Sequence, residues 1–290
     1  RIALSAKFTM SNTPNLLDWI GREDIRDDVI GLREAQLLAA ALDRETAPTL
    51  GSALPFLWHW CAFVPIVRAR ETGADGHPKR GGFMPPVQLP RRMWAGGQLT
   101  FHTPLPIGAA AKRTSRIASI TEKSGNSGSL VFVTVQHHIM GAHGLAIEEQ
   151  QDVVYRAAPA IGAVAVTPPA APCDAHWSDT MQADPVLLFR YSALTFNSHR
   201  IHYDAPYARD AEHYSGLVVH GPLIATLLAE SLCKRTTRAW KRFSFRAVSP
   251  LFDHTAFTLN GTLQGDTARL WAANADGGLA MSAEVTLATE

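Results

Sequence analysis

The stretch GLVVHGPLIATLLAESLC, residues 216–233, decides the fold of this chain. Pro222 suits the first turn of a helix, because its φ is fixed near the helical value and its missing N–H would have no partner there. From Pro222 to Cys233 the apolar residues lie on almost every side of a helix. Such a pattern predicts a helix that is buried nearly all round.

Three segments with a strand period follow this helix. In each of them apolar and polar residues alternate, as they do in a strand with one buried face. The apolar positions of the three segments include Phe243 and Phe245, Phe257 and Leu259, and Met281 and Val285. A buried helix followed by such strands predicts an antiparallel sheet wrapped around the helix.

The N-terminal part of the chain repeats this order. Leu32, Ala35, Leu38 and Leu42 have the spacing of an amphipathic helix. Alternating strands are predicted after it, near residues 94–102, 111–122, 130–140 and 145–155. The predicted class is therefore α+β, with two helix-wrapped antiparallel sheets. Residues 157–185 are rich in Ala and Pro and are predicted to be a linker, which leaves residues 11–156 and 186–290 as the two domains.

Composition excludes several classes of function. The formal net charge of +1 gives no overall basic field for nucleic acid or an anionic membrane. No apolar run reaches the ~18 residues of a membrane span, and residues 1–10 do not resemble a signal peptide. The three cysteines lie far apart, as Cys61, Cys173 and Cys233. We therefore predict reduced thiols and a cytoplasmic location.

The segment YSALTFNSHRIHYD, residues 191–204, contains several polar side chains of the types that take part in catalysis. Asn197, His199 and His202 lie within it, between an apolar segment and the next helix. His220 and Gly221 come shortly afterwards, at the start of the buried helix. Free backbone N–H groups and the helix dipole meet at a helix N-terminus and favour negative charge there.

These two segments resemble the motifs of the MaoC-type enoyl-CoA hydratases. The first family motif is roughly F-S-x-L-(S/T)-G-D-x-N-x-I-H, and residues 191–202 read YSALTFNSHRIH. The second motif, A-H-G, stands here as Val219-His220-Gly221. The strings DWIGRED (residues 18–24) and GGFMPPVQLPRRMWAGG (residues 81–97) resemble the branch that holds mesaconyl-C4-CoA and itaconyl-CoA hydratases. The resemblance thus covers nearly the whole chain.

The resemblance implies a double hot-dog fold and a hydro-lyase that adds water to a branched C4-dicarboxylyl-CoA, giving citramalyl-CoA. The C-terminal domain would be the catalytic one, and the acyl-CoA would lie between the domains. His202 aligns with the catalytic histidine of the family, Asn197 with its catalytic aspartate, and Gly221 with the glycine whose amide polarises the thioester carbonyl. An amide cannot accept a proton at neutral pH, so Asn197 is expected to orient water while His202 transfers protons. No metal and no other cofactor is implied, because CoA is part of the substrate.

A substrate with a second carboxylate needs a cation, preferably an arginine fork. Arg91, Arg92 and Arg200 are the candidates for this contact. Tyr203 and His220 are predicted to line the substrate pocket. For each of these side chains, ordinary packing or a solvated surface position remains the alternative.

Other functions stay open on the sequence alone. They are a hydratase or dehydratase of plain 3-hydroxyacyl thioesters, a hot-dog thioesterase, and a non-catalytic acyl-CoA-binding protein. A metal site built from His199, His202, His213 and His220 is weakly indicated, because their spacings match no common ligand pattern. A homodimer is the predicted assembly.

Overall fold

A computed structural model describes residues 14–125, 128–158 and 167–289. In the N-terminal half, strand β1 (Glu23–Val29) and helix α1 (Leu32–Ala41) precede the strands β2 (Arg91–Phe101), β3 (Ala110–Gly125), β4 (Gly128–Gly141) and β5 (Gly144–Arg156). The second half has β6 (Trp177–Met181), α2 (Pro185–Leu194), α3 (Ala205–Asp210), α4 (Gly221–Cys233), β7 (Trp240–Ala247), β8 (Phe257–Gln264), β9 (Thr267–Ala273) and β10 (Leu279–Leu287). The predicted order of helix followed by strands thus occurs twice.

The ten strands form one continuous antiparallel sheet, in the order β1-β3-β4-β5-β2-β7-β10-β9-β8-β6. Strands β2 and β7 join the two halves, with Gly97 opposite Phe245. Glycine is required at this junction, because a Cβ on Gly96 would lie 2.5 Å from the carbonyl oxygen of Phe245. The predicted α+β class is confirmed.

Helix α4 is the core of the C-terminal half. Its residues Leu223, Leu228 and Leu232 are 0 % exposed, and the helix packs against β8, β9 and β10. Burying a leucine side chain contributes about 1.5–3 kcal/mol. The apolar pattern of residues 216–233 therefore fixes the axis around which the sheet curves. No helix among the described residues is both long and apolar enough to cross a membrane.

Strand β1 was missing from the sequence prediction. Its sequence, EDIRDDV, carries four acidic residues and one arginine, which hides the strand period. The strand lies at the edge of the sheet, where charged side chains are favoured because they discourage edge-to-edge pairing. Asp27 stands opposite Lys112 of β3 and pairs with it at 3.6 Å.

The predicted linker is too long at its C-terminal end. Strand β6 lies inside residues 157–185 and pairs with β8, so Trp177–Met181 belongs to the sheet. The Trp177 indole N–H donates to Ser231 of α4, which anchors this strand on the helix. Residues 159–166 of the linker and residues 11–13 of the predicted N-terminal domain lie outside the described part of the chain.

Candidate active site

The segment between α2 and α4 folds into a loop that presents several imidazoles. Phe196 has a φ of 48°, which turns the chain sharply after α2. The Asn197 Oδ1 then accepts a hydrogen bond of 3.0 Å from the backbone N–H of His199. A short 3-10 helix, Arg200–His202, follows at once. The side-chain oxygen of Asn197 therefore fixes the loop, and its amide NH₂ is left for other partners.

His202 is buried, and its tautomer is set by the backbone. Its Nδ1 lies 2.7 Å from the carbonyl oxygen of Val218. A carbonyl only accepts, so Nδ1 carries the proton and Nε2 presents a lone pair. Burial lowers the pKa of His202 to about 4, although the hydrogen bond to Val218 opposes this. His202 is therefore neutral near pH 7 and can accept a proton at Nε2.

His220 holds the ring of His202 in place. The two imidazoles stack with centroids 3.6 Å apart and planes 19° from parallel. His220 Nε2 lies 2.8 Å from the Ser192 hydroxyl of α2, while its Nδ1 is buried without a hydrogen-bond partner. Burial and the neighbouring His202 keep the pKa of His220 well below its usual value. A role for His220 in packing and orientation fits these contacts better than the predicted direct contact with substrate.

Gly221 is the first residue of α4, directly after His220. Among the described residues, none accepts a hydrogen bond from its backbone N–H, as is usual in the first turn of a helix. A Cβ on Gly221 would meet only the carbonyl oxygen of Trp94, at 3.9 Å. The N–H thus belongs to the residue that directly follows His220, whose ring stacks on His202, and Gly221 lies near the strand that joins the two halves.

A turn from the N-terminal half docks onto the loop of residues 196–204. The Arg200 backbone N–H donates to the carbonyl of Asp75 at 2.9 Å, and the Ser198 hydroxyl donates to the carbonyl of Gly76. Gly76 has a φ of 88°, and a Cβ there would lie 1.8 Å from the Ser198 carbonyl oxygen. Only glycine allows this close approach.

The docked turn adds two ionisable side chains to the imidazole cluster, and the sequence analysis did not predict either. His77 Nδ1 lies 3.0 Å from Asp75 Oδ2, and the His77 ring lies against the His199 ring with centroids 4.0 Å apart. The His199 ring in turn meets His202 edge to face at 5.4 Å. Asp75 and His77 are more than 120 residues from this loop, and their local sequence, GADGHPK, reads only as a turn.

The charges of this cluster are coupled. Burial and the nearby guanidinium of Arg92 lower the pKa of His77 to about 4. Burial, with a contribution from His77, also depresses the pKa of His199. Burial opposes ionisation of Asp75, yet the hydrogen bond from His77 and its charge outweigh it and hold the pKa of Asp75 well below its usual range. One ligand-type atom from each of Asp75, His77 and His199 lies within 4.8 Å of the others. Of the four histidines in the metal hypothesis, only His199 belongs to this group.

Two of the predicted carboxylate-binding arginines are already engaged. Arg200 pairs with Asp204 at 2.7 Å and lies over the Tyr207 ring. Arg91 pairs with Glu212 at 2.8 Å, and its side chain is only 9 % exposed. Each guanidinium thus already has a carboxylate partner, which leaves it less hydrogen-bonding capacity for a substrate carboxylate.

Tyr203 is also turned away from the buried histidines. Its side chain is exposed, and its hydroxyl donates to the carbonyl of Ser198 at 3.0 Å. It therefore supports the catalytic loop from outside. The place of Tyr203 in the pocket lining stays a prediction.

Arg92 differs from the other two arginines. It is half-buried, and within the described ranges its side chain makes neither an ion pair nor a hydrogen bond. Its positive charge nevertheless contributes to the lowered pKa of His77 and of His199. Arg92 is therefore a guanidinium with unfilled hydrogen-bonding capacity at the candidate site.

Fold and site together define the class of protein. Two helix-wrapped sheets share one site, where neutral imidazoles stand beside a free helix N-terminal N–H. The structure of HtdX from Mycobacterium tuberculosis superposes with a TM-score of 0.65, covering 91 % of this chain and 99 % of that one at 18 % identity. The class is the double hot-dog fold of the MaoC-like dehydratases, as predicted.

Sequence comparison identifies the family within this class. The model of hydroxyacyl-thioester dehydratase type 2 matches residues 57–253. A protein of Chloroflexus aurantiacus named mesaconyl-C(4)-CoA hydratase is 49 % identical over 272 residues, 93 % of this chain and 96 % of its own. The mitochondrial hydroxyacyl-thioester dehydratase type 2 of Schizosaccharomyces pombe is 30 % identical over 221 residues, 67 % of this chain and 73 % of its own. The chain belongs to the hydroxyacyl-thioester dehydratase type 2 family and is a hydro-lyase.

Proposed function

We propose that this enzyme adds water to an unsaturated, branched C4-dicarboxylyl-CoA. Mesaconyl-C4-CoA is the first candidate substrate and itaconyl-CoA the second, with citramalyl-CoA as the product. The observation that carries the proposal is the neutral His202, whose Nδ1 proton is held by Val218, beside the free N–H of Gly221. The name of the Chloroflexus relative supports the choice of acyl group.

The proposed chemistry begins with a water bound between two side chains. The Asn197 amide orients the water, and His202 Nε2 accepts one of its protons as the oxygen attacks the β-carbon of the acyl group. The π electrons move toward the thioester oxygen, and the Gly221 N–H stabilises the enolate. Loss of one such donor typically costs about 3 kcal/mol of transition-state stabilisation. For mesaconyl-C4-CoA, whose double bond joins the α- and β-carbons, a proton at the α-carbon completes the 3-hydroxyacyl thioester. In itaconyl-CoA the double bond joins the β-carbon to an outer methylene, so the proton goes to that methylene and no thioester enolate forms. No step uses a metal or a redox cofactor.

Arg92 supplies the proposed specificity for a dicarboxylyl group. A planar guanidinium binds a carboxylate through two parallel hydrogen bonds. Arg92 has no such partner within the described ranges, and its charge is felt at the imidazoles. The distal carboxylate of the substrate would pair with the Arg92 guanidinium and set the direction in which the acyl group enters.

A panel of CoA esters tests this proposal. Mesaconyl-C4-CoA, itaconyl-CoA and crotonyl-CoA are offered separately, and products are identified by mass spectrometry. We expect the two dicarboxylyl esters to gain the mass of water faster than crotonyl-CoA. The Arg92→Gln variant should lose at least tenfold in kcat/KM on the dicarboxylyl esters and little on crotonyl-CoA, whereas Arg246→Gln, an exposed arginine on β7, should behave as the wild type.

A hydratase or dehydratase of plain 3-hydroxyacyl thioesters is the second candidate. The family itself and the Schizosaccharomyces relative, by its name, favour this activity. It predicts the opposite order in the same panel, with crotonyl-CoA hydrated fastest and no effect of Arg92→Gln. Conversion of crotonyl-CoA alone would therefore contradict the dicarboxylyl substrate while leaving the hydro-lyase chemistry intact.

We also propose a cellular location, an assembly state and independence from cofactors. Cys61, Cys173 and Cys233 are unpaired, which supports a cytoplasmic location, where thiols stay reduced. A homodimer remains the predicted assembly, and light scattering coupled to gel filtration measures it. Full activity after dialysis against a chelator is the expected result for a cofactor-free enzyme.

A further inference from the structure

We propose that His77, oriented by Asp75, is a second catalytic residue of this site and exchanges the proton of the substrate's α-carbon. This inference rests on the proposed hydration and adds a group from the N-terminal half to it.

The geometry of the Asp75–His77 pair is that of an oriented base. Asp75 uses both carboxylate oxygens on His77, since Oδ2 accepts from Nδ1 at 3.0 Å and Oδ1 accepts from the backbone N–H at 3.0 Å. The ring is therefore fixed with the Nδ1 proton on the carboxylate side. His77 Nε2 is left as a lone pair, and in the described part of the chain it has no hydrogen-bond partner.

The turn that carries this pair is built to reach the catalytic loop. Its ends are bridged between Thr72 and Pro78, and Gly73 N–H donates to the His77 carbonyl at 2.7 Å. The contacts of Gly76 with Ser198 and of the Asp75 carbonyl with Arg200 then lock it onto the loop. A surface turn without a role in the site would not need a close approach that only glycine permits.

The two oriented imidazoles of the site differ in the group that accepts a hydrogen bond from Nδ1–H. His202 donates Nδ1–H to a neutral carbonyl, whereas His77 donates to a carboxylate. A carboxylate stabilises the imidazolium form, so an imidazole with such a partner can hold a proton during catalysis more easily than one without. Asn197 provides no carboxylate at the loop, and Asp204 is taken up by Arg200. Asp75 is therefore the carboxylate that serves the imidazole cluster.

Two proton transfers then divide between the two imidazoles. In hydration, His202 Nε2 takes a proton from water as the C–O bond forms at the β-carbon and the π electrons move to the thioester oxygen. The enolate electrons return to the α-carbon, which takes the proton of protonated His77 from Nε2. The proton on His202 passes back to His77 through His199 or solvent, so that H and OH are added overall. In dehydration, neutral His77 removes the α-proton and Asp75 stabilises the resulting imidazolium. Protonated His202 gives its Nε2 proton to the β-hydroxyl, which leaves as water, and the proton on His77 passes back to His202 through His199 or solvent.

Arg92 links the substrate to the protonation of His77. In the free protein its positive charge, together with burial, disfavours protonated His77. A substrate carboxylate bound to Arg92 cancels this repulsion and brings a negative charge into the cluster. Binding of a dicarboxylyl ester therefore favours the protonated state that hydration requires, and a monocarboxylic acyl group such as crotonyl does not.

The test compares His77→Gln and Asp75→Asn with His202→Ala. Lys79→Gln, an exposed change on the same turn, is the control. General acid–base groups contribute about 10²–10⁴-fold. We expect His77→Gln to lower kcat on mesaconyl-C4-CoA by at least ~100-fold, with KM within a few-fold and an unchanged melting temperature. Asp75→Asn should lose a large part of the same factor, and Lys79→Gln should match the wild type.

A second readout separates catalysis from structure. Citramalyl-CoA is incubated with each variant in D₂O, and deuterium at the α-carbon is followed by mass spectrometry. His77→Gln should lose this exchange, whereas His202→Ala should retain exchange while losing hydration. Exchange at the wild-type rate in His77→Gln, or equal loss in both variants, would overturn the role of His77 but leave the proposed function standing. Failure of the wild-type protein to hydrate any of the three CoA esters would contradict the proposed function, and the role of His77 would fall with it.

Discussion

The imidazole rings of His202 and His220 stack face to face with their centroids 3.6 Å apart. His220 is itself held by the Ser192 hydroxyl at 2.8 Å, so an oriented ring lies behind the catalytic one. Replacing His220 by alanine removes this support and leaves a cavity against His202. We expect kcat to fall at least tenfold, with a smaller change in KM, and the free energy of unfolding to drop by about 2–4 kcal/mol.

Ser192→Ala is a milder change to the same arrangement than His220→Ala. It removes one hydrogen bond but keeps the stacked ring, so about 1 kcal/mol of stability should be lost. Steady-state kinetics and urea unfolding measure both variants. A His220→Ala enzyme with wild-type kcat would show that the stack does not orient His202.

Gly221→Ala tests whether the substrate occupies the space in front of the N-terminus of α4. The nearest protein atom to an added Cβ is 3.9 Å away, so the fold should tolerate the methyl group. We expect an unchanged melting temperature and a loss of at least tenfold in kcat/KM, because the methyl occupies space next to the N–H that binds the thioester oxygen. Gly265→Ala, in the exposed turn between β8 and β9, is the control for activity. Full activity of Gly221→Ala would show that the substrate does not approach this end of α4.

Asn197 is expected to act through both ends of its amide. Its Oδ1 holds the His199 N–H at 3.0 Å, which aspartate can also do and alanine cannot. Asn197→Ala should lose about 1 kcal/mol of stability together with most activity. Asn197→Asp should keep the fold. In a double variant with His77→Gln it should restore part of the activity that His77→Gln loses, since it adds a carboxylate at the loop. If the double variant is no more active than His77→Gln, the loop position cannot replace the Asp75–His77 pair.

Stability should fall on acidification because the site buries neutral imidazoles. The pKa values of His77 and His202 are lowered to about 4, and those of His199 and His220 are lowered as well. Unfolded histidines titrate near 6.5, so between about pH 6.5 and 4 the unfolded chain binds more protons and gains stability relative to the fold. His202 alone should cost about 2 kcal/mol at pH 5. Urea unfolding at pH 7.5 and pH 5 measures the loss, and the loss should be smaller in His202→Gln.

Much of the fold could be predicted from periodicity. Helix α4 and the strands β3, β4 and β5 appeared where the hydrophobic pattern placed them, because one-sided burial leaves a repeating signal in the sequence. Strand β1 was not predicted, because the charged residues of Glu23–Val29 obscure its alternation of apolar and polar residues. Strand β6 was not predicted either, because five residues beside a Pro-rich sequence are too few to show a period.

The candidate site was less accessible to prediction. His202, Asn197 and Gly221 are close in sequence and carry a motif, so their proximity could be expected. Asp75 and His77 join them through a contact between distant parts of the chain, for which the sequence has no local signal. The sequence alone did not distinguish which cation binds the second carboxylate of the substrate: Arg91, Arg92 or Arg200. Only the structure shows that Glu212 and Asp204 occupy two of them.

The most direct measurement of the central claim is hydration of mesaconyl-C4-CoA by the wild-type enzyme and by His202→Ala. The product is followed by mass spectrometry, and circular dichroism melting confirms that the variant is folded. We expect the wild type to form citramalyl-CoA and His202→Ala to form it at least ~100-fold more slowly. A folded His202→Ala protein with near-wild-type turnover would contradict the assignment of water activation to this residue.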